Sequence, residues 1–342
     1  MAVDLRSDTL TMPGPRMREA MAKAELGDDV WGEDPTVNRL QEVAAERLGK
    51  EAALFVSSGT MGNLLGVVVN ARPSQEIIAD ADSHTFLSEV GGAAALAGVQ
   101  IMPVRTEAGV MTPAQIAGAI RVEDVHHPRT AAVFFEDTHN YHGGVAWPLA
   151  DLRDASEEAH RQGLTVHLDG ARLFNAAVAT GTDAREIAAC ADTVTFCLSK
   201  GLGAPAGSLF CGPAEKVSEA RRWRKMLGGG MREIGMLAGA GLFALDNMVD
   251  RLAEDHANAR TLAEGLAEMD GVRIDLSRVQ TNLVIFELER IDPAAFVTEC
   301  YRRGVKSATV SRTQVRFVTH YGVRAADVQQ ALKVVSEVLA EG

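Results

Sequence analysis

The sequence is poor in cysteine, in basic residues and in long apolar runs, and each shortage excludes a class of protein. None of its four cysteines, Cys190, Cys197, Cys211 and Cys300, forms a CxxC pair. In a chain of 342 residues this spacing predicts reduced thiols, not a disulfide framework, and we expect no metal site. No apolar stretch could span a bilayer, and the charged start MAVDLRSDTLTMP lacks the apolar core of a secretion signal. We therefore expect a cytoplasmic protein.

Acidic residues outnumber basic ones. The chain has 34 Lys and Arg against 46 Asp and Glu, which gives a net charge of −12. Because nucleic acids and anionic membranes repel an acidic surface, we expect neither as a partner. Apolar residues make up 46% and charged residues 23%, which is ordinary for a globular protein with a large core, and the length suggests two domains.

Short apolar runs alternate with helical patterns over the first part of the chain. With helices such as 148–163 between them, these runs predict an α/β fold with a mostly parallel, buried central sheet. The strand-like runs are AALFVSS (52–58), EIIAD (76–80), QIMPV (100–104), TAAVFFE (130–136), LTVHLD (164–169) and TVTFCLS (193–199).

The rest of the chain has a different character. Residues 217–268 have helical spacing throughout, which is compatible with a long helix between two domains. Beyond them, VRIDL, NLVIFEL, VKSATV and QVRFVTH predict short antiparallel strands, with helices at 292–303 and 325–340. We therefore expect an N-terminal arm (1–20), a large α/β domain (21–245) and a smaller C-terminal α+β domain (246–342).

Two apolar strands end in residues that carry chemistry. VHLDGAR (166–172) places Asp169 at a strand end, and TFCLSKGLGAP (195–205) places Lys200 just past another. Taken singly, Asp169 could cap a helix and Lys200 could be a solvated loop residue. Together, at the edge where open α/β sheets bind ligands, they predict a pyridoxal-5'-phosphate (PLP) site: a nucleophilic lysine for the aldehyde and a carboxylate for the ring nitrogen.

Two further stretches support that prediction. SSGTMGN (57–63) follows a strand and opens a helix, so its backbone N–H groups and a hydroxyl can hold a phosphate. His84 follows the strand EIIAD. In isolation His84 is better explained as a hydrogen-bonded loop residue, but beside the other signals we favour a histidine that stacks on the cofactor ring and exchanges protons.

These residues and their surroundings resemble the threonine aldolase family, within the fold type I (aspartate aminotransferase-like) PLP enzymes. The resemblance covers nearly the whole chain and implies cleavage of L-threonine or L-allo-threonine to glycine and acetaldehyde. The matching stretches are DLRSDTLT (4–11), GDDVWGEDPTVNRL (27–40), SSGTMGN (57–63), VHLDGARLFNA (166–176), CLSKGLGAPAGSL (197–209), RWRKMLGGGMR (222–232) and VRFVTH (315–320).

The resemblance also implies a role for individual residues. The residues it implies as catalytic are Lys200, the Schiff-base lysine, with Asp169, His84 and His126. The residues it implies around PLP are Ser58, Gly59, Thr60, His84, Asp169, Arg172, Lys200 and Arg232. The residues it implies around the substrate are Ser7, Trp31, Arg172, Lys225 and Arg316. Because Arg232 is expected to reach the phosphate of a neighbouring subunit, the resemblance implies a homotetramer built as a dimer of dimers.

Three positions depart from the family pattern. Trp31 stands where tyrosine is common, Val145 where a basic residue is usual, and Ser88 where a bulkier aromatic is frequent. The small Ser88 suggests an open pocket wall, so we expect a low-specificity L-threonine aldolase, a carbon–carbon lyase, that cleaves both L-isomers. The alternatives are a β-eliminating lyase or transaminase, or an aldolase for another β-hydroxy-α-amino acid such as phenylserine. A non-catalytic binding protein would have lost the lysine, the aspartate or the phosphate loop, and all three are present.

Overall fold

A computed structural model describes residues 2–341 of the chain. Five-residue strands dominate the first 212 residues, and the strands after residue 270 are shorter on average. The strands are β1 (Val3–Asp4), β2 (Ala52–Val56), β3 (Glu76–Asp80), β4 (Gln100–Val104), β5 (Thr130–Glu136), β6 (Thr165–Asp169), β7 (Thr193–Cys197), β8 (Ser208–Gly212), β9 (Val272–Arg273), β10 (Leu283–Leu288), β11 (Val305–Lys306), β12 (Ala308–Thr309) and β13 (Gln314–Val318).

Helices begin and end at residues suited to the task. Asp34 caps the second helix by accepting hydrogen bonds from Thr36 N and Val37 N, and Gly49 ends it in the left-handed conformation. The helices are α1 (Pro15–Ala22), α2 (Pro35–Leu48), α3 (Gly59–Asn70), α4 (His84–Leu87), α5 (Gly92–Ala95), α6 (Pro113–Ala119), α7 (Leu149–Arg161), α8 (Leu173–Thr180), α9 (Ala184–Ala189), α10 (Ala214–Met226), α11 (Gly235–Asn247), α12 (Leu252–Ala267), α13 (Pro293–Arg302) and α14 (Ala325–Glu341). Within residues 2–341, no helix has the length and apolar character needed to cross a membrane.

A seven-stranded sheet forms the centre of the large domain, in the order β2-β8-β7-β6-β5-β3-β4. Each of the six predicted runs contains one of its strands, and β3 to β7 pair in parallel, so the prediction of a mostly parallel sheet is confirmed. The strand that the sequence did not predict is β8, which runs antiparallel to β2 and β7. Its five buried residues, SLFCG, follow a glycine-rich turn, and such a short run has no period that separates a strand from other buried segments.

Both faces of this sheet are buried. Leu54 and Phe55 are neighbours on β2 and both have no exposed surface, yet they belong to different hydrophobic clusters. The Leu54 cluster lies under α3 and α10, and the Phe55 cluster lies under α2, α7 and α11. Strands buried on both faces read as continuous apolar runs, which is why they could be found in the sequence.

A third hydrophobic cluster lies in the smaller domain, where β12, β13, β10 and β9 form an antiparallel sheet against α12, α13 and α14. The N-terminal arm does not stand apart: β1 pairs in parallel with β11, and Val3 and Leu5 join this cluster. The run VKSATV was expected to be one antiparallel strand, but it divides into β11, which pairs with β1, and β12. Residues 217–268 hold most of α10 and the whole of α11 and α12, not one long linking helix; the domain limits given above stay a prediction.

Candidate active site

The polar residues predicted from the strand ends meet at one edge of the central sheet. β3, β5, β6 and β7 are parallel neighbours, so their carboxyl ends lie side by side. Glu136 ends β5 directly opposite Asp169 on β6. Lys200 follows the end of β7 by three residues. The charge of Lys200 acts on both Asp8 and His84, so its side chain lies on the same side of the sheet edge as these two residues.

Asp169 is almost completely buried, and both of its oxygens are bonded. Ala171 N donates to Oδ1 at 3.1 Å, and Asn63 Nδ2 donates to Oδ2 at 2.7 Å. Asn63 belongs to α3 and is itself only 2% exposed. These two hydrogen bonds fix the orientation of the carboxylate. Asn63 lies within the predicted phosphate loop, but no role was predicted for it from the sequence. The signal that could have identified it is an amide on an otherwise apolar helix.

A carboxylate that the sequence analysis missed, Glu89, holds His84. Glu89 Oε1 lies 2.9 Å from His84 Nδ1 and accepts a hydrogen bond from Asn63 Nδ2 at 2.8 Å. The bond to Glu89 raises the pKa of His84, and burial raises the pKa of Glu89. The backbone N of His84 donates to Glu136 Oε2 at 2.6 Å. With Nδ1 engaged, Nε2 is the imidazole nitrogen left to meet a substrate.

The same cluster could in principle hold a metal ion, because single ligand atoms of His84, Glu89 and Asp169 lie within 4.8 Å of one another. The amide of Asn63 bridges Glu89 and Asp169 and already satisfies one oxygen of each. Asp169 would instead bind the protonated ring nitrogen of a cofactor, a role that leaves the Asn63 bridge intact.

The amino end of α3 is the segment that was predicted to hold a phosphate. Ser58 is the helix cap, and its Oγ accepts from Met61 N at 3.2 Å. Ser58 and Thr60 are exposed, so their hydroxyls and the first helical N–H groups face outward. Gly59 lets the helix approach β7, since a Cβ there would lie 2.8 Å from Cys197 Sγ. Helix and strand are thus held together at the point where a phosphate would bind.

Two guanidinium groups converge on one amide oxygen. Asn140 Oδ1 accepts a hydrogen bond at 3.2 Å from Arg172 and one at 3.2 Å from Arg316. Arg172 is buried. Its Nε donates a hydrogen bond to Asp8 Oδ2 at 2.7 Å, and its NH2 group donates one to Asp8 Oδ1 at 2.8 Å. Burial alone would raise the pKa of Asp8, but the adjacent guanidinium lowers it. The fork of Arg172 is therefore already occupied by Asp8.

Of these two arginines, Arg316 has an unpaired Nε. Its Nε is buried and has no hydrogen-bond partner among residues 2–341, while its NH2 donates to the carbonyl of Arg6 at 3.3 Å. Burial and the neighbouring charge of Arg172 lower its pKa. Ser7 lies in the adjacent turn, where its Oγ accepts from Thr9 N at 3.2 Å. Two close positive charges and an unpaired buried N–H make a site for a carboxylate.

The wall that Ser88 was expected to leave open carries an aromatic residue from elsewhere in the chain. The hydroxyl of Tyr141 lies 2.9 Å from Ser88 Oγ. Tyr141 directly follows Asn140, whose amide oxygen accepts a hydrogen bond from Arg316. The phenol therefore meets Ser88 from the same loop that contacts the carboxylate site. Sequence reasoning missed Tyr141, because the two residues are 53 positions apart.

Four of the expected site residues are not brought to this pocket by the single chain. His126 is exposed in the loop before β5, hence at the opposite end of that strand, and its Nδ1 lies 2.7 Å from Asp124. Trp31 is 76% exposed. Arg232 pairs with Asp28 at 2.7 Å. Lys225 lines a hollow with Val30 on the same surface as Arg232 and Trp31. We name residues 28–31 and 222–232 together the basic patch.

Comparison with known proteins agrees with this geometry. The family model for beta-eliminating lyases matches residues 4–289. The low specificity L-threonine aldolase of Escherichia coli strain K12 is 44% identical over 322 residues, which cover 94% of each chain. The low-specificity L-threonine aldolase 1 of Arabidopsis thaliana is 41% identical over 341 residues, which cover 97% of this chain and 94% of the plant protein.

A solved structure supports the fold. The threonine aldolase of Leishmania major superimposes with a TM-score of 0.86 at 22% identity, over 98% of this chain and 99% of that one. This likeness confirms the fold type I class expected from the sequence, and the relatives confirm the resemblance to threonine aldolases. The chain therefore belongs to the beta-eliminating lyase family, together with the low-specificity L-threonine aldolases that it matches over almost its full length.

Proposed function

We propose that the protein is a PLP-dependent, low-specificity L-threonine aldolase that cleaves L-threonine and L-allo-threonine to glycine and acetaldehyde. The proposal rests on two observations: Asp169 and Lys200 follow the neighbouring parallel strands β6 and β7 at one edge of the sheet, and Arg316 has an unpaired buried Nε. These groups suit a pyridine nitrogen, a cofactor aldehyde and an amino-acid carboxylate, respectively.

The residues present fit PLP. Lys200 follows β7, and the amino end of α3 packs against the same strand at Gly59. Asp169 is held in one orientation by hydrogen bonds from Asn63 and Ala171, which suits a partner for a protonated ring nitrogen. PLP, when bound, supplies the electron sink for carbanion chemistry. The chain supplies the binding groups and the proton transfers.

Orientation of the substrate follows from Arg316. A carboxylate on its free Nε, beside Ser7 and the NH1 group of Arg172, fixes one end of an amino acid whose nitrogen points to Lys200. The β-substituent then lies toward His84, whose Nε2 is free to accept the proton of a β-hydroxyl. Glu89 on Nδ1 stabilises the imidazolium that results. A D-isomer bound through the same carboxylate would present its side chain away from His84.

A coupled assay tests the proposal. Holoenzyme with L-threonine should yield acetaldehyde, read through alcohol dehydrogenase, and should yield no 2-oxobutyrate, the product of β-elimination. Lys200→Ala should abolish turnover and the absorbance of a cofactor bound to this lysine. In the wild type, borohydride should attach the cofactor covalently to Lys200. A reduced peptide that carries the cofactor on Lys225, or release of 2-oxobutyrate in place of acetaldehyde, would refute the assignment.

Both L-isomers should react. Tyr141 narrows the wall at Ser88, but its hydroxyl can bond either β-hydroxyl, so exclusion of one isomer is not expected. The rates for L-threonine and L-allo-threonine should differ by less than about a hundredfold, which corresponds to roughly 2.7 kcal/mol in transition-state binding. Tyr141→Phe should change the ratio of the two rates. An unchanged ratio would show that Tyr141 does not discriminate between the isomers.

We also propose a homo-oligomer, a dimer of dimers in the cytoplasm, in which the basic patch enters the site of a neighbour. Arg232, Lys225 and Trp31 lie together on the surface of one chain, and His126 is exposed as well. Inactive Lys200→Ala and Arg232→Ala chains, when mixed, should form hybrid dimers with one intact site and regain about a quarter of wild-type activity. No regained activity, with exchange of chains verified, would contradict a shared site. The four unpaired, buried cysteines are consistent with a reducing compartment.

A further inference from the structure

A second cluster of metal-ligating side chains lies at the same edge of the sheet, beside the pocket. It consists of Asp80, at the end of β3, with His139 and His142 from the loop after β5. One ligand atom of each lies within 4.8 Å of the others. His139 Nε2 is 3.1 Å from Asp80 Oδ1, and His142 Nε2 is 3.8 Å from the same oxygen. None of these residues takes part in the chemistry proposed above.

These separations resemble those between ligands of one zinc ion. Zinc binds imidazole nitrogen and carboxylate oxygen at about 2.0–2.1 Å in a tetrahedron, which places two ligand atoms about 3.3 Å apart. The observed 3.1 and 3.8 Å lie on either side of that value. Asp82 offers a fourth ligand, since its Oδ2 is 3.8 Å from His142 Nε2. Two imidazoles with carboxylates are a ligand set that suits Zn²⁺ and its first-row neighbours.

The burial of these groups gives an independent reason for a ligand. His142 Nε2 is buried and has no hydrogen-bond partner within residues 2–341. Burying such a nitrogen without a partner destabilises the folded chain unless a ligand binds it. His139 has no exposed surface, and Asp80 is 4% exposed. Thr106 donates its hydroxyl to Asp80 Oδ2 and so directs Oδ1 toward the two histidines.

An ion has a route to the cluster. A cavity of about 430 Å³ borders it, lined on the near side by Asp82, Tyr141 and His142 and on the far side by Arg273 and Glu287 of the smaller domain. We propose that Asp80, His139 and His142, with Asp82 or water, bind a divalent transition-metal ion, zinc being the best match. The sequence analysis expected no metal because it considered cysteine spacing, whereas these ligands come from β3 and from a loop about 60 residues away.

The site would act on the catalytic pocket through the loop that carries it. Between the two histidine ligands lie Asn140, which receives Arg172 and Arg316, and Tyr141, which meets Ser88. The loop closes on itself where His139 N donates to Val145 O at 3.0 Å. A metal on both histidines would hold Asn140 and Tyr141 in place. Its removal should therefore weaken substrate binding more than it slows the chemical step.

Without a metal, His139 donates its Nε2 proton to Asp80 and the cluster is only a structural hydrogen-bonded pair. Metal binding by the holoenzyme distinguishes the two. After treatment with a chelator, the wild type should take up about one Zn²⁺ or Co²⁺ per chain. Calorimetry, elemental analysis and the visible absorption bands of tetrahedral Co²⁺ measure this uptake. His142→Ala should bind at least about tenfold more weakly while keeping its fold and cofactor.

His160→Ala is the matched control, because His160 pairs with Asp192 in a similar histidine–aspartate contact at 3.0 Å outside this cluster; it should bind metal like the wild type. The stripped wild type should show a raised KM that Zn²⁺ restores, and His142→Ala should keep a raised KM with or without Zn²⁺. No stoichiometric uptake by the wild type, or equal uptake by His142→Ala, would overturn the inference. Because uptake is measured without turnover, its failure is separate from any failure of the proposed aldolase activity.

Discussion

Replacing Arg316 by glutamine should weaken substrate binding without destabilising the fold. The Nε of Arg316 is the buried donor left free for a substrate carboxylate. A hydrogen bond between charged partners contributes about 1.5–3 kcal/mol, so its loss should lower kcat/KM about 10- to 150-fold. The loss should appear mainly in KM, since the carboxylate is bound alike before and during bond cleavage.

The same substitution should not destabilise the protein. Burial and the charge of Arg172 lower the pKa of Arg316, which means that the positive charge of Arg316 destabilises the folded chain. Glutamine removes the repulsion, and Asn140 still accepts from Arg172. The free energy of unfolding should therefore be unchanged or higher, and the charge effect should be present at all pH values at which the arginine is ionised.

Kinetics with L-threonine and thermal melting of the same preparations decide the matter. Arg312→Gln, an exposed arginine four positions earlier, is the control and should alter neither quantity. If Arg316→Gln melts several degrees below the wild type while KM stays the same, Arg316 is a structural residue and the assignment of the carboxylate site is wrong.

Three more substitutions test other parts of the site. The hydrogen bond to Glu89 raises the pKa of His84, so activity that needs neutral His84 should fall as the pH drops through that raised pKa. Glu89→Gln should therefore move the acid limb of the kcat/KM profile to lower pH. An unmoved limb would show that His84 is not the base. Asp8→Asn should lower the free energy of unfolding by about 3–5 kcal/mol because it leaves Arg172 buried and unpaired. Since the pKa of Asp8 is lowered, the wild type should hold this stability at neutral pH and lose it in acid, whereas Asp4→Asn, at an exposed pair, should change little in urea titrations. Gly62→Ala should cost about 1–3 kcal/mol, because its Cβ would lie 2.4 Å from Thr195 Cγ2; Gly118→Ala, with open space, should be neutral or stabilising, and equal melting of the two would contradict the close packing of α3 on β7.

Local patterns in the sequence were enough to find most of the sheet and the residues at its active edge. A strand buried on both faces is largely apolar, so β3 and β5 could be located to the residue. The edge strand β4 is partly exposed, and its short apolar run was located as well. The polar residue after such a run stands out, and Asp169 and Lys200 were found in this way. The resemblance to a family then supplied Arg316 and Ser7, which no local pattern distinguishes.

Tertiary structure alone decided which partner each polar group has. Asp169 meets Asn63 across 106 positions, Arg172 meets Asp8 across 164, and Tyr141 fills the space at Ser88 from another loop. The sequence could not show that Asp8 occupies the fork of Arg172, nor that His142 comes within reach of Asp80. Hydrophobic burial imposes a pattern on neighbouring residues and can be read along the chain, whereas a hydrogen bond or a metal site depends on where two distant segments come to lie.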